Sequence, residues 1–283
     1  MNELSCEVLA DGFTFLEGPR WHDGSLWLSD IHAERVLRVS PDGKSEVVVT
    51  VPNRPSGLGF DRKGRLLIVS MRDRKLLRLD GGRLETVADL AAVAPYDAND
   101  MVVDGEGRAY VGHFGFDLFN HAEPGPSSLI LVTPEGKVRV VAEDLMFPNG
   151  AVVTPDGRTL IVAESFGSRL TAFTIGADGG LSGRRVFAEL GERVPDGICL
   201  DAGGGVWTSC FGQDEFVRVV DGGAITDRVA VTGRRAVACA LGGEDRRTLF
   251  LLTAETTVED LSEGRSKAAI ETARVAVPGA GWP

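Results

Sequence analysis

Short apolar runs recur along the whole chain and are separated by turns rich in glycine and aspartate. Within the runs, apolar residues either alternate with polar ones or form brief uninterrupted stretches, and both patterns are typical of β-strands. Asp-Gly and Gly-Gly between consecutive runs predict hairpin turns, because these residues tolerate positive φ. The segment 84–94 is the one candidate for a helix or an irregular loop. The pattern predicts an all-β protein.

A four-strand unit is repeated six times. In each copy a turn leads into an apolar run that ends in small polar or charged residues. These runs lie at residues 23–30, 63–70, 106–113, 156–164, 204–210 and 247–253. Each is preceded by one apolar run and followed by further ones, and a unit of about 47 residues with four strands matches a propeller blade. We therefore predict one domain, residues 1–283, folded as a six-bladed β-propeller with four antiparallel strands per blade.

The two ends of the chain and one insertion stand outside this repeat. Strand-like runs at residues 6–9 and 273–277 are expected to share one terminal blade, because pairing them closes the ring and removes exposed sheet edges. The longest insertion, residues 113–128, follows the second strand of blade three. Loops of this length inside a compact repeat are commonly functional or mobile, so we expect it to form a lid.

A recurring position just before the first strand of each unit carries the candidate chemistry. In chain order it is occupied by Glu17, Ser56, Asn99, Asn149, Asp196 and Ala236. First strands line the central channel of a propeller, so we expect these side chains to converge. Two carboxylates and two amides make an all-oxygen site that suits Ca²⁺, Mg²⁺ or Mn²⁺. Taken singly, Asn149 and Asp196 also fit ordinary Pro-x-Gly turns; the repeated position carries the prediction of one metal in the channel.

Charge and composition limit the classes of partner that the protein is expected to bind. The net charge of −11 argues against nucleic acid and against an anionic membrane surface. It suits a protein that holds a cation, and solubility alone also explains it. Four cysteines (Cys6, Cys199, Cys210 and Cys239) are widely spaced without a metal-binding motif, and free thiols are expected. The polar start of the chain and the lack of an apolar run of ~18 residues predict a cytoplasmic protein without a membrane span.

Four motifs resemble those of the SMP-30/gluconolactonase/regucalcin family in order and approximate spacing, over nearly the whole chain. They are Glu17-Gly18-Pro19-Arg20-Trp21, Asn99-Asp100, Pro148-Asn149-Gly150 and Pro195-Asp196-Gly197. The resemblance implies one divalent cation held by Glu17, Asn149 and Asp196, with Ca²⁺ expected first and Mg²⁺, Mn²⁺ or Zn²⁺ as alternatives. It implies that Asn99 binds substrate or a metal-bound water, and that Asp196 is the catalytic base. The implied reaction is hydrolysis of a lactone or a close ester.

One position departs from the family pattern. Members that open sugar lactones commonly carry an arginine two residues before the blade-three asparagine, and this chain has Asp97 there. A carboxylate cannot replace a guanidinium fork that binds hydroxyls, so we expect a substrate other than an ordinary sugar lactone. His113 and Asp117, where the insertion begins, are further candidates for substrate binding. His32 ends the matching strand of blade one.

Two functions remain open at this point. The first is a metal-dependent lactonase acting on a small lactone or ester, as a monomer or weak homo-oligomer. The second is a calcium-binding or interaction propeller without turnover, because this fold hosts both. A metal-activated water competes with Asp196 for the role of effective base, since metal coordination depresses the pKa of a carboxylate. The chain has no Gly-x-Ser-x-Gly, which argues against a serine hydrolase.

Overall fold

Six β-sheets surround a central channel in the computed structural model, which describes residues 1–281. The first strand of each sheet contacts the first strands of the sheets on both sides, so the blades form a closed ring. Within each blade, strands that follow one another in the sequence pair antiparallel. The prediction of an all-β, six-bladed propeller with four antiparallel strands per blade is confirmed.

The chain begins with β1 (Asn2–Leu4) and β2 (Glu7–Phe13), which pair with later strands, and then builds blades one to three from four consecutive strands each. These twelve strands are β3 (Leu16–His22), β4 (Ser25–Asp30), β5 (Arg35–Val39) and β6 (Ser45–Thr50) in blade one; β7 (Pro55–Phe60), β8 (Leu66–Ser70), β9 (Lys75–Asp80) and β10 (Arg83–Asp89) in blade two; and β11 (Ala98–Val103), β12 (Ala109–His113), β13 (Ser127–Val132) and β14 (Val138–Leu145) in blade three.

Blades four to six continue the same order. Their strands are β15 (Pro148–Val153), β16 (Thr159–Glu164), β17 (Arg169–Ile175) and β18 (Leu181–Glu189) in blade four; β19 (Pro195–Leu200), β20 (Val206–Cys210), β21 (Glu215–Val219) and β22 (Ile225–Ala230) in blade five; and β23 (Arg235–Gly242), β24 (Thr248–Glu255) and β25 (Lys267–Arg274) in blade six. A short helix α1 (Val258–Glu263) lies between β24 and β25.

The N-terminal segment closes the ring. Strand β2 pairs antiparallel with β25 and becomes the outer strand of blade six, as predicted for residues 6–9. The partner strand β25 begins earlier than the predicted run at 273–277 and overlaps it only at residues 273 and 274. Strand β1 adds an unpredicted fifth strand to blade five, parallel to β22. The same short segment therefore ties blades five and six together.

The helical reading of segment 84–94 is wrong. Most of it belongs to β10, and turns follow at residues 91–93. The register of β10 shifts between Thr86 and Ala88, which breaks the alternation that would have marked a strand. In residues 1–281 the structure instead has one α-helix, α1, and it has no helix long and apolar enough to cross a membrane. The four cysteines are free thiols.

Apolar side chains fill the space between neighbouring blades. One cluster joins blades three and four around Tyr110 and Phe173, and another joins blades five and six around Trp207 and Leu251. Similar clusters occupy the other boundaries between blades. Each blade thus buries both faces against its neighbours, which is how a ring of small sheets obtains a large core.

A β-bulge recurs at the start of the first strand of every blade. The pairing register breaks between Glu17 and Arg20, Pro55 and Leu58, Ala98 and Met101, Pro148 and Ala151, Pro195 and Ile198, and Ala236 and Ala238. Each break falls on or beside the position predicted to be equivalent. Bulges turn a side chain away from the normal alternation, so the sequence register corresponds to a real structural register.

Glycines after two of these positions let the inner strands approach closely. A Cβ on Gly197 would overlap the Cβ of Ala238, and one on Gly150 would lie 2.5 Å from the backbone nitrogen of Ile198. Real Cβ atoms do not make such contacts. The ring around the channel therefore depends on the absence of a side chain at Gly150 and Gly197.

We expect Gly197→Ala to destabilise the protein by about 1–3 kcal/mol, because the added methyl group overpacks the contact with Ala238. The measurement is chemical unfolding of both proteins followed by fluorescence. Gly212→Ala is the matched control, since its Cβ would meet only Val194 at an ordinary 3.6 Å. Equal stability of Gly197→Ala and Gly212→Ala would contradict this account of the inner ring.

Candidate active site

A cavity of about 240 Å³ opens at the end of the channel where the first strands begin. Its floor includes Glu17, Asn99, Asn149 and Asp196, which are only 7–8% exposed. The equivalent Ser56 is fully buried, with its carbonyl accepting a hydrogen bond from Ser29 at 2.6 Å, and it does not line the cavity. Four of the six equivalent positions therefore bring oxygen-bearing side chains together.

Hydrogen bonds orient the amides on this floor. Asn149 Nδ2 donates to Ser165 Oγ at 3.2 Å, and Ser165 Oγ donates to the Pro195 carbonyl at 2.7 Å. Asn99 Nδ2 donates to the Pro148 carbonyl at 3.5 Å. The nitrogen of Asn149 is thus occupied, while Asn149 Oδ1 and Asp196 Oδ1 are buried and have no hydrogen-bond partner in the described residues. Unpaired buried acceptors are costly in an apolar site, so these two oxygens suit an additional ligand.

Negative charge accumulates beside these oxygens. Burial, together with repulsion from Asp196 and Asp100, raises the pKa of Glu17 well above its ordinary value. Burial and repulsion from Asp100 also raise the pKa of Asp196, while hydrogen bonding to the Asn149 side chain lowers it. The neighbouring Arg20 is already held, since it pairs with Asp100 at 3.2 Å and donates to the Pro19 carbonyl at 2.8 Å.

The donor set fits a hard cation. A divalent ion among Glu17, Asn149 and Asp196 would complete the unpartnered oxygens and offset the repulsion between two buried carboxylates. The third proposed ligand beside the two carboxylates is the amide of Asn149 and not a third carboxylate. Residues 1–281 accordingly contain no group of three or more His, Cys, Asp or Glu side chains arranged to hold a metal.

Four of the residues that lie two positions before the six equivalent positions also line the cavity, and we call this level of the cavity its mouth. Phe15, Arg54, Phe147 and Val194 occupy this place in blades one, two, four and five, and all four line the cavity. Asp97 occupies it in blade three but is not among the lining residues. Burial raises the pKa of Asp97, while Arg72, Arg54 and Arg74 counteract that rise. The guanidinium at this mouth therefore comes from blade two, with Asp97 close enough to act as its counter-charge.

Arg54 was missed by the sequence analysis. Its signal was present, because Arg54-Pro55-Ser56 aligns with Phe147-Pro148-Asn149 in the repeat. Helix α1, which supplies Val258 and Leu261 to the cavity lining, was missed as well. It begins at a visible capping pattern: Thr257 Oγ1 accepts from the Asp260 backbone N–H at 3.1 Å, and Gly264 ends the helix with φ 71°.

His113 and Asp117 lie outside the cavity lining. His113 Nε2 is 3.0 Å from Ser128 Oγ, and the Ser127 hydroxyl donates to the His113 carbonyl at 2.6 Å. These contacts join the two ends of the insertion 113–128. Asp117 accepts from the Asn120 backbone and side-chain nitrogens and so caps a 3-10 helix, Leu118–Asn120. Both residues hold the insertion in shape, and their predicted contact with substrate stays a prediction.

His32 does line the cavity. Both ring nitrogens are buried without a hydrogen-bond partner in residues 1–281. Burial and the nearby positive charge of Arg54 lower the pKa of His32 to about 4. The imidazole is therefore neutral at neutral pH and can donate and accept one hydrogen bond each.

The fold and site define a class: a six-bladed propeller that collects carboxylate and amide oxygens on the floor of a cavity at one end of its channel. Residues 15–255 match the family described as SMP-30/Gluconolactonase/LRE-like region. The chain belongs to this family, which confirms the expectation drawn from the four motifs.

Individual relatives agree with this assignment. The chain is 26% identical to 6-deoxy-6-sulfogluconolactonase of Pseudomonas putida, covering 100% of this chain and 99% of the relative. It is 25% identical to pentonolactonase XacC of Haloferax volcanii, covering 84% and 81%. Among solved structures it is similar to the calcium-binding protein regucalcin of Agrobacterium tumefaciens, with TM-score 0.81, 23% identity and coverage of 99% and 97%. The structural likeness supports the fold.

We expect acid to destabilise the protein partly through His113. Burial lowers the pKa of His113 from 6.5 to about 4. Between these values the unfolded chain binds more protons than the folded one, so stability falls as pH falls from 6.5 toward 4. Replacing His113 with Asn should reduce the loss of stability between pH 7.5 and pH 5 by about 2 kcal/mol, measured by urea unfolding at both pH values.

His121→Asn is the matched control, because His121 is exposed in the same insertion and its φ of 56° is one that asparagine tolerates. An equal loss of stability on acidification in wild type and His113→Asn would show that the buried imidazole does not titrate in this range.

Proposed function

We propose that the protein is a lactonase that opens a small lactone by hydrolysis and holds one divalent cation with Glu17, Asn149 and Asp196. The observation that carries this proposal is the pair of buried, unpartnered acceptors, Asn149 Oδ1 and Asp196 Oδ1, on the floor of a cavity large enough for a small molecule. The names of the two lactonase relatives support the reaction class. All-oxygen donors favour Ca²⁺ first, in line with a relative described as calcium-binding.

A bound divalent cation would polarise a carbonyl and make water a stronger nucleophile. Side chains of the chain itself would bind the substrate and transfer the proton. Asn99 lies on the floor with its amide weakly engaged at 3.5 Å, so it can turn to donate to a substrate oxygen. With Asp196 Oδ1 on the cation, the second carboxylate oxygen of Asp196 would accept the proton of the attacking water.

In the proposed reaction Asp196 both accepts the proton of the attacking water and returns it to the leaving oxygen. The water oxygen bonds to the carbonyl carbon while Asp196 takes the proton, and the ring carbon–oxygen bond then breaks. Asp196 returns the proton to the leaving oxygen, and the product is a hydroxy acid. The apolar residues above the floor exclude other water, which strengthens each electrostatic contact below them.

The cavity separates this proposal from a binding propeller without turnover. A protein that only stores a cation can complete its coordination with its own side chains. Here a cavity of about 240 Å³ lies directly above the ligand set, and Asn99 contributes a further polar group that the cation set does not require. This arrangement leaves room for a substrate carbonyl beside the cation.

We expect hydrolysis of lactones, followed as acid release at constant pH, to disappear after chelation and to return when Ca²⁺, Mg²⁺, Mn²⁺ or Zn²⁺ is added. Asp196→Asn should lower kcat/KM at least about a hundredfold, because it removes the proton acceptor and a charged ligand. Asp178→Asn is the control, since Asp178 is an exposed turn residue in blade four.

Calorimetric titration with the same cations completes the test. Tight binding of a cation without turnover on any lactone would overturn the lactonase and leave the binding propeller. Full activity of Asp196→Asn, or activity that persists in the chelated protein, would show that the floor residues have other roles.

A further inference from the structure

The ring of side chains around the cavity mouth is apolar on the side of the proposed cation ligands. Glu17, Asn149 and Asp196 belong to blades one, four and five. The residues two positions earlier in those blades are Phe15, Phe147 and Val194, and all of them line the cavity. The first groups that a ligand on this floor would meet are therefore hydrocarbon surfaces.

Phe147 is held in an unusual backbone conformation. Its φ is 61°, a left-handed value that bulky residues rarely adopt and that costs free energy. The turn is kept by the Ser165 N–H, which donates to the Phe147 carbonyl at 3.1 Å. Residues in such strained positions cluster at ligand sites. Here the residue with the left-handed backbone is an aromatic one, Phe147, and it lies two residues before Asn149.

Other aromatic rings pack around Phe147. Its ring centroid lies 4.6 Å from Phe114, 5.8 Å from Phe116 and 5.3 Å from Phe166. Phe114 and Phe116 come from the insertion 113–128, and Phe166 follows β16 in blade four. Phe166 is 45% exposed although it is large and apolar. The cluster forms an aromatic wall that faces the cavity through Phe114, Phe147 and Phe166.

Few polar groups remain for substrate hydroxyls. Of the nineteen lining residues in the described chain, twelve are hydrophobic and seven are polar. Four polar residues form the floor, and Ser165 is engaged by Pro195 and Asn149. His32 and Arg54 are left. A lactone ring bearing several hydroxyls would bury some of them against phenylalanine without partners, which is unfavourable.

We propose, on the basis of the proposed lactonase activity, that the substrate is a lactone carrying an aryl or alkyl group in place of the hydroxyls of a sugar lactone. That group packs against the wall formed by Phe114, Phe147 and Phe166, while the lactone carbonyl reaches the floor. Arg54, on blade two, faces the polar edge of the ring. The same position in blade three carries Asp97, which supplies no donor to a hydroxyl.

The experiment compares lactones of two kinds with the cation-loaded enzyme. Dihydrocoumarin and δ-decalactone represent the aryl and alkyl class, and glucono-δ-lactone and galactono-γ-lactone represent the polyhydroxylated class. Acid release is measured with the spontaneous rate subtracted. We expect kcat/KM for the better apolar lactone to exceed that for either sugar lactone by at least about tenfold.

Two variants test the wall. Phe166→Ser changes an exposed ring and carries little risk for folding, and Phe147→Asn keeps a residue that tolerates left-handed φ. Each should lower kcat/KM for the apolar lactones about tenfold, mainly through a higher KM, and should therefore narrow the ratio of kcat/KM between apolar and sugar lactones. Val186→Ser is the control, because Val186 is 43% exposed in the same blade and lies outside the cavity lining.

The outcomes distinguish this inference from the proposed function. Hydrolysis of no lactone at all would overturn both. Hydrolysis that favours the sugar lactones would overturn the substrate class and leave the lactonase standing. Equal effects of Phe166→Ser on both classes, or none on either, would also overturn the wall's role in selecting an apolar group.

Discussion

Close packing of the inner strands around the channel is the constraint on which the rest of this structure depends. At Gly150 and Gly197 a methyl group would overlap the neighbouring blade. The strands can approach this far only with glycine there and with a bulge that turns the preceding residue out of the normal alternation. That residue is Asn149 in blade four and Asp196 in blade five. The geometry that closes the ring is therefore also the geometry that assembles the candidate site.

The same packing brings negative charge together in a place with little water. Asp100 receives the Arg20 guanidinium, but neither Glu17 nor Asp196 forms an ion pair among residues 1–281. Buried charges need a partner or a proton. A divalent cation is the partner that suits carboxylate and amide oxygens, and the two unpartnered acceptors occur where it would bind. The fold thus buries two carboxylates together, and the cation of the proposed function would neutralise their charge.

Much of this could be predicted from the sequence, because repetition made single weak signals comparable. Asn149 alone fits an ordinary turn, but its place in six aligned units predicted the floor of the cavity. The parts that could not be predicted lie where the repeat is broken. The register shift between Thr86 and Ala88 hid β10, and helix α1 lies in the connection between β24 and β25, whose counterparts in the other blades contain no α-helix among residues 1–281. Arg54 was readable from the alignment of blades, yet its meaning required seeing that the mouth positions surround one cavity.

The measurement that most directly tests the central claim is a crystal structure of the protein grown with Mn²⁺, with the ion located by its anomalous scattering. The account predicts one strong peak on the cavity floor, at oxygen distances of about 2.0–2.6 Å from Glu17, Asn149 and Asp196. A protein that binds the ion elsewhere, or that leaves these three side chains without an ion at saturating Mn²⁺, would contradict it.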